Sequence, residues 1–151
     1  MGKTYSAVLV ALECLKMGGS VLVLCPPLLK DDWYDAFKTI SHKVSKSGSA
    51  SILKNGNLRE GVTIISKYSL QNHPLSPKDI EILKEKINLC IVDEAHYGMI
   101  TKKEDPPLRE SIKSILRISK KNLLLTATPM RSSWQDSVSY THLRAHETRH
   151  D

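Results

Sequence analysis

Strand-like apolar runs alternating with helix-like stretches predict an α/β domain built on a parallel sheet. Ser20 to Leu24, Val62 to Ser66, Leu89 to Val92 and Asn122 to Leu125 are short, mostly apolar and partly β-branched. That is the composition of strands covered on both faces. The segments between them place apolar residues at helical spacing. Strands that take turns with helices pair in parallel, because the crossover needs the helix.

Each element has a local reason. Tyr5 to Met17 is rich in Ala, Leu and Val at helical spacing, and Gly18-Gly19 offers a cap at its end. The run from Ser20 stops at Cys25-Pro26-Pro27, where proline ends ladder bonding and turns the chain. Leu28 to Ile40 reads as a helix with Leu29, Trp33, Ala36, Phe37 and Ile40 on one face. Core packing is the simplest role for Trp33 and Phe37. Ser41 to Glu60 is polar, a surface excursion with one weak strand expected at Ala50 to Leu53. The strand from Val62 runs into Lys67-Tyr68-Ser69-Leu70, and residues 71–75 read as loop. Ser76-Pro77 supplies an N-cap and a first-turn proline for a helix to about Lys86, with Ile80, Leu83 and Ile87 inward. After a polar loop, Tyr97 to Glu104, Asp105-Pro106-Pro107 opens a helix carrying Leu108, Ile112, Ile115 and Leu116. Thr126-Ala127-Thr128-Pro129 closes the last strand.

With 151 residues the chain suits one domain or a piece of one, and 40% hydrophobic with 25% charged content is ordinary for a globular fold. The net charge of +6 suits a nucleotide or nucleic acid, although a solvated basic surface gives the same figure. Cys14, Cys25 and Cys90 are scattered through apolar runs without metal-ligand spacing and read as reduced core thiols. No apolar run could span a membrane and no signal peptide is visible, so a cytoplasmic or otherwise intracellular protein is expected.

Two stretches carry chemistry. Asp93-Glu94 ends the third apolar run, and the C-terminal edge of an α/β sheet is where ligands bind. Two acids there can divide nucleotide hydrolysis, Asp93 holding a magnesium shell and Glu94 orienting or deprotonating water. A solvated acidic turn is the plainer alternative. Met1-Gly2-Lys3-Thr4 matches the back end of a phosphate loop, G-x-x-x-x-G-K-[ST], with a helix behind it as that motif requires.

Gly2-Lys3-Thr4, Cys25-Pro26-Pro27-Leu28-Leu29, Asp93-Glu94-Ala95-His96 and Thr126-Ala127-Thr128-Pro129, in this order, resemble the first RecA-like domain of superfamily-2 helicases and translocases. The Asp-Glu-Ala-His block is the DEAH box of that group. Val21 to Phe37, with Trp33, is similar to the second block of Swi/Snf-type DNA translocases, as are Leu123 to Met130 and Trp134-Gln135-Asp136 to their third. Gly98 to Lys102 departs from the Lys-Asn pair of those relatives.

The resemblance implies a RecA-like P-loop fold, ATP and magnesium as cofactors, and nucleic acid, above all double-stranded DNA, as partner. Gly2, Lys3 and Thr4 would bind nucleotide, Thr4 and Asp93 magnesium, and Glu94 would activate water. His96, Thr126 and Thr128 would couple nucleotide state to the nucleic acid. Pro26, Pro27, Lys67, Tyr68 and Ser69 would touch a nucleic-acid backbone; for Lys67 a solvated surface lysine is the competing role. A restriction-enzyme motor subunit is the same-superfamily alternative, and a non-catalytic nucleic-acid-binding module the rival of another class.

The family pattern also implies a first loop glycine before Met1 and a second RecA-like domain that completes the ATP site, so the chain reads as a fragment inactive in hydrolysis. A bacterial or phage origin suits so compact a motor domain. Residues 1–136 read as the partial ATP-binding domain, and 137–151 as a non-native, disordered tail that resembles a translated transposon-type sequencing adaptor. His142, His146 and His150 have metal-helix spacing, one alternative reading of that tail; a basic, His-rich segment that binds nucleic acid is the other.

Overall fold

A strand lying inside a sheet with helices on both sides must be apolar on both of its faces, and four runs of this chain meet that demand. The computed structural model describes residues 2–41, 43–46, 50–56, 58, 60–95, 106–126 and 141–144, with the backbone alone at 2, 3, 106, 107, 126 and 141–144. The elements are α1 (Gly2–Lys16), β1 (Ser20–Cys25), α2 (Lys30–Lys38), β2 (Val44–Lys46), α3 (Ser51–Lys54) and β3 (Gly61–Ser66). Then follow α4 (Lys67–Asn72), α5 (Pro77–Leu83), β4 (Leu89–Val92), α6 (Pro106–Ile118), β5 (Lys121–Thr126) and β6 (Thr141–Arg144).

The strands form one parallel sheet in the order β2-β3-β1-β4-β5-β6. β1 lies between β3 and β4, with Val21 opposite both Val62 and Leu89. Its side chains alternate between two cores. Val21, Val23 and Cys25 join Ala7, Ala11, Trp33 and Phe37, so α1 and α2 cover one face. Leu22 and Leu24 join Leu53, Leu70, Leu83 and Ile112 under α3 to α6. Each fully buried Leu or Ile contributes about 2 kcal/mol. This is the α/β, RecA-like layering expected from the sequence.

The turn from α1 into β1 is close. Gly18, at φ 77°, donates to Leu15 O at 3.0 Å, and Gly19 to Cys14 O at 2.9 Å, which closes the helix. A Cβ on Gly19 would lie 2.6 Å from Cys14 Sγ and 3.2 Å from Asn88 Cγ. Asn88 in turn accepts from Ser20 N through its side chain at 2.8 Å. The helix, β1 and the entry to β4 are thereby held together at the N-terminal edge.

Five elements differ from the sequence reading. Ala50 to Leu53 is not a strand. Ala50 and Leu53 are both buried, three residues apart, and the segment forms the single helical turn α3. The outer strand is instead the polar β2, whose Lys46 pairs with Asp31 of α2. Residues 67–72 form α4, capped by Ser66, whose side chain accepts from Ser69 N; so short a helix leaves no periodicity to read. α5 stops at Leu83, because Lys84 turns extended (ψ 131°) and Glu85 left-handed (φ 68°). Within the tail set aside as disordered, Thr141–Arg144 pairs with β5 as β6. A main-chain ladder on an open sheet edge asks for no particular side chain. Residues 137–140 and 145–151, with two of the three tail histidines, lie outside the described residues. Among the described residues no helix is long and apolar enough to cross a membrane.

The start of α5 is a reciprocal box: Ser76 Oγ accepts from Asp79 N at 3.2 Å, and Asp79 Oδ2 accepts from Ser76 N at 2.8 Å. That backbone bond holds the Asp79 carboxyl below its ordinary 3.8. Ser76→Ala should cost about 1 kcal/mol in urea unfolding. The contribution of Asp79 is present above pH 3.8 and is lost as pH falls through the lowered value, so the cost of Asp79→Ala should fade in acid.

Burial pushes the Cys90 thiol up to about 12, and burial followed by the Asp93 charge does the same to Cys25 against the opposing Lys30 and Lys67. Burial also raises Cys14 above 9.0, with Lys121 opposing. A thiol reagent at pH 8 should find one slow site in the folded protein, Cys14, and all three after unfolding. Fast labelling of Cys25 or Cys90 in the native protein would contradict this packing.

Candidate active site

The connection leaving β1 runs to β2 on one side of the sheet, whereas that leaving β4 runs to β5 on the other. β1 and β4 are neighbours, so a crevice opens beyond their C-terminal ends. Cys25-Pro26 and Asp93-Glu94 stand there. α1 runs back along β1 from its tight turn and packs on β1 and β4, which brings its first residues, Gly2 to Thr4, to the same edge. Fifteen residues of helix span about 22 Å, close to the length of the strand below.

Asp93 is 2% exposed. A carboxylate so far from water must be met by donors. Oδ2 accepts from Trp33 Nε1 at 2.8 Å and Oδ1 from Glu94 N at 2.9 Å, while Asp93 N donates to Leu24 O at 2.8 Å. Trp33 is 1% exposed and stacks on Phe37 with ring centroids 5.9 Å apart. It is a core residue, as expected, and also a donor to the carboxylate, which the sequence reading missed. A buried indole N–H needs an acceptor, and that requirement was the signal in the sequence; which acceptor meets it depends on the fold.

Glu94 has φ 50°, rare for a residue with a side chain. The peptide that follows it is held from two sides. Its carbonyl accepts from Lys67 Nζ at 2.7 Å, and its N–H, on Ala95, donates to Leu125 O at 2.8 Å. Lys67 is 3% exposed, placed neither as a solvated surface lysine nor in the open. Ser69 is buried too: its N–H donates to Ser66 Oγ and its own hydroxyl accepts from Ala50 N. Tyr68 is 60% exposed, and Pro27 lies at the surface beside the 92% exposed Leu28. Pro26 is half-buried and its carbonyl accepts from Leu29 N.

For Gly2, Lys3 and Thr126 the backbone alone is described, and His96 and Thr128 lie outside the described residues. Among the described residues no group of three or more His, Cys, Asp or Glu could hold a metal by itself. The Thr4 hydroxyl and the Asp93 carboxylate are hard oxygen donors of the kind magnesium takes, one or two from protein and the rest from water and phosphate. The residues present fit that ion. Two cavities of about 330 and 310 Å³ open at the opposite edge, beside Gly61 and Gly19, away from the carboxylates.

The sequence profile of one family, described as type III restriction enzyme, res subunit, matches residues 1–131. The chain belongs to that family. No curated protein matches it. The res-subunit family match identifies residues 1–131 as an ATP-binding, helicase-type motor domain of superfamily 2, which agrees with the RecA-like layering and with the order of the four blocks. ATP with a divalent cation is the ligand that such a domain implies, and nucleic acid the general partner of such motors.

The Trp33–Asp93 bond can be weighed directly. Trp33→Phe keeps most of the ring and removes the N–H, which should cost about 2 kcal/mol in chemical unfolding. A double-mutant cycle with Asp93→Asn should give a coupling above about 0.5 kcal/mol, whereas simple additivity would mean that the two side chains do not interact.

Proposed function

We propose that this chain is the first motor domain of an ATP-driven translocase on double-stranded DNA, of the restriction-motor kind. The observation that carries this reading is the carboxylate pair at the switch point, with Asp93 clamped by Trp33 and Glu94 fixed in a left-handed backbone. An acidic turn that merely met solvent would need neither. The family match favours a restriction-enzyme motor over the Swi/Snf type, while Trp33 behind Cys25-Pro26 remains the feature shared with the latter.

In this reading Gly2 and Lys3 hold the β- and γ-phosphates, and Thr4 and Asp93 hold magnesium. Magnesium, when bound with ATP, neutralises charge on the phosphate oxygens. Glu94 orients the attacking water and takes its proton. A second RecA-like domain outside these residues completes the site, and His96, Thr126 and Thr128 pass the nucleotide state to the nucleic acid. Pro26, Pro27 and Tyr68 lie along a nucleic-acid strand, where backbone contacts carry no sequence information. Such a motor works inside the cell.

Glu94→Gln in the full-length motor tests this. Turnover should fall at least about 100-fold, with ATP affinity kept within about twofold. Unchanged turnover would remove Glu94 from the water-activating role and favour the binding-module alternative.

A further inference from the structure

The geometry points to Lys67 as a positioning residue that ties the nucleic-acid side of the domain to the peptide carrying Glu94. This deepens the proposed function and rests on it. Lys67 is the first residue of α4, directly behind β3, and β3 is separated from β4 by β1. Two strand spacings amount to roughly 9.6 Å. A lysine stem plus one hydrogen bond can bridge that distance, and Nζ does reach Glu94 O at 2.7 Å. The stem crosses the end of β1, and the Lys67 charge is felt by Cys25 there.

The bond falls on one peptide with two anchors. Lys67 holds its carbonyl from the β3 side, and Leu125 holds its N–H from the β5 side. A left-handed backbone at a residue with a side chain persists only when its surroundings over-determine it. Without Lys67 this peptide can rotate, and the Glu94 side chain turns with it. Lys67 is also bonded in sequence to Tyr68, which is 60% exposed on the first turn of α4. A strand pressing on Tyr68 moves the start of α4, and with it the ammonium that holds Glu94. Lys67 therefore serves the nucleic-acid response from inside, without touching the nucleic acid.

The test compares Lys67→Met, which keeps the stem length without the donor, with Lys67→Arg, which restores a donor of similar reach. In the full-length motor, Lys67→Met should leave KM for ATP and the affinity for duplex DNA within about twofold. Its DNA-stimulated kcat should fall roughly 10- to 100-fold, the scale of a small misplacement in a catalytic constellation, and Lys67→Arg should recover most of it. Weakened DNA binding with a salt slope reduced by about one would instead make Lys67 a phosphate contact and overturn the inference. Wild-type stimulation in Lys67→Met would overturn it as well. The hold itself is read without turnover, by hydrogen exchange at the Ala95 amide in this chain. Exchange should speed up in Lys67→Met and return in Lys67→Arg; no change in either overturns the inference even if the motor is active. A motor with no DNA-stimulated turnover at all, but with that exchange pattern, would sink the translocase reading and leave the clamp intact.

Discussion

A negative charge kept out of water at the end of a buried strand is the constraint from which the site follows. Asp93 is almost wholly covered, and an unpaired buried carboxylate would cost several kcal/mol. The fold answers with an indole from α2, the amide of the next residue, and a strand ladder that continues one residue past β4 to Leu24. The residue whose amide serves Asp93 is the one with the unusual backbone, Glu94. The first acid is thus secured, and the peptide after the second is held by Lys67 and Leu125.

The sheet order brings these partners together from far apart in the chain. β1 contributes its end and, through the turn behind it, Trp33; β3 contributes Lys67; β5 contributes the Leu125 carbonyl. Parallel strands put all their C-terminal ends on one edge, so three crossovers deliver side chains to one strip a few strand spacings wide. The cores beneath are of ordinary composition. What distinguishes the strip is that polar groups there are satisfied by residues from neighbouring crossovers.

The strands were legible because burial on both faces leaves a plain mark: continuous apolar runs such as Val21 to Leu24, with proline or carboxylates at the exit. The helix α6 was legible for the opposite reason, since Leu108, Ile112, Ile115 and Leu116 show a one-sided stripe. Short elements failed. Ala50 to Leu53 fits a strand or a helical turn equally well until tertiary contacts choose, and α4 is shorter than two turns. The carboxylate pair could be read from its place at a strand end. Its supports could not, because neither the reach of Lys67 nor the bond from Trp33 follows from spacing along the chain; each depends on which strands become neighbours. The side chains at Lys3, His96 and Thr128 were named from motif alone, and they are not among those the structure describes.

The crowded contact of Gly19 against Cys14 and Asn88 has a consequence for reading natural variation in this family. α1 is a stiff rod with its tight end beside Gly19 and its first residues at the other tip of the sheet. A methyl group added at Gly19 must push the rod or the entry to β4 aside, and a rod pivoted at one end moves most at the other. A variant at this position, though it lies at the far edge from the carboxylates, belongs with active-site variants when genomes are surveyed for inactive motors. A survey that ranks positions by distance from the nucleotide would score it as harmless.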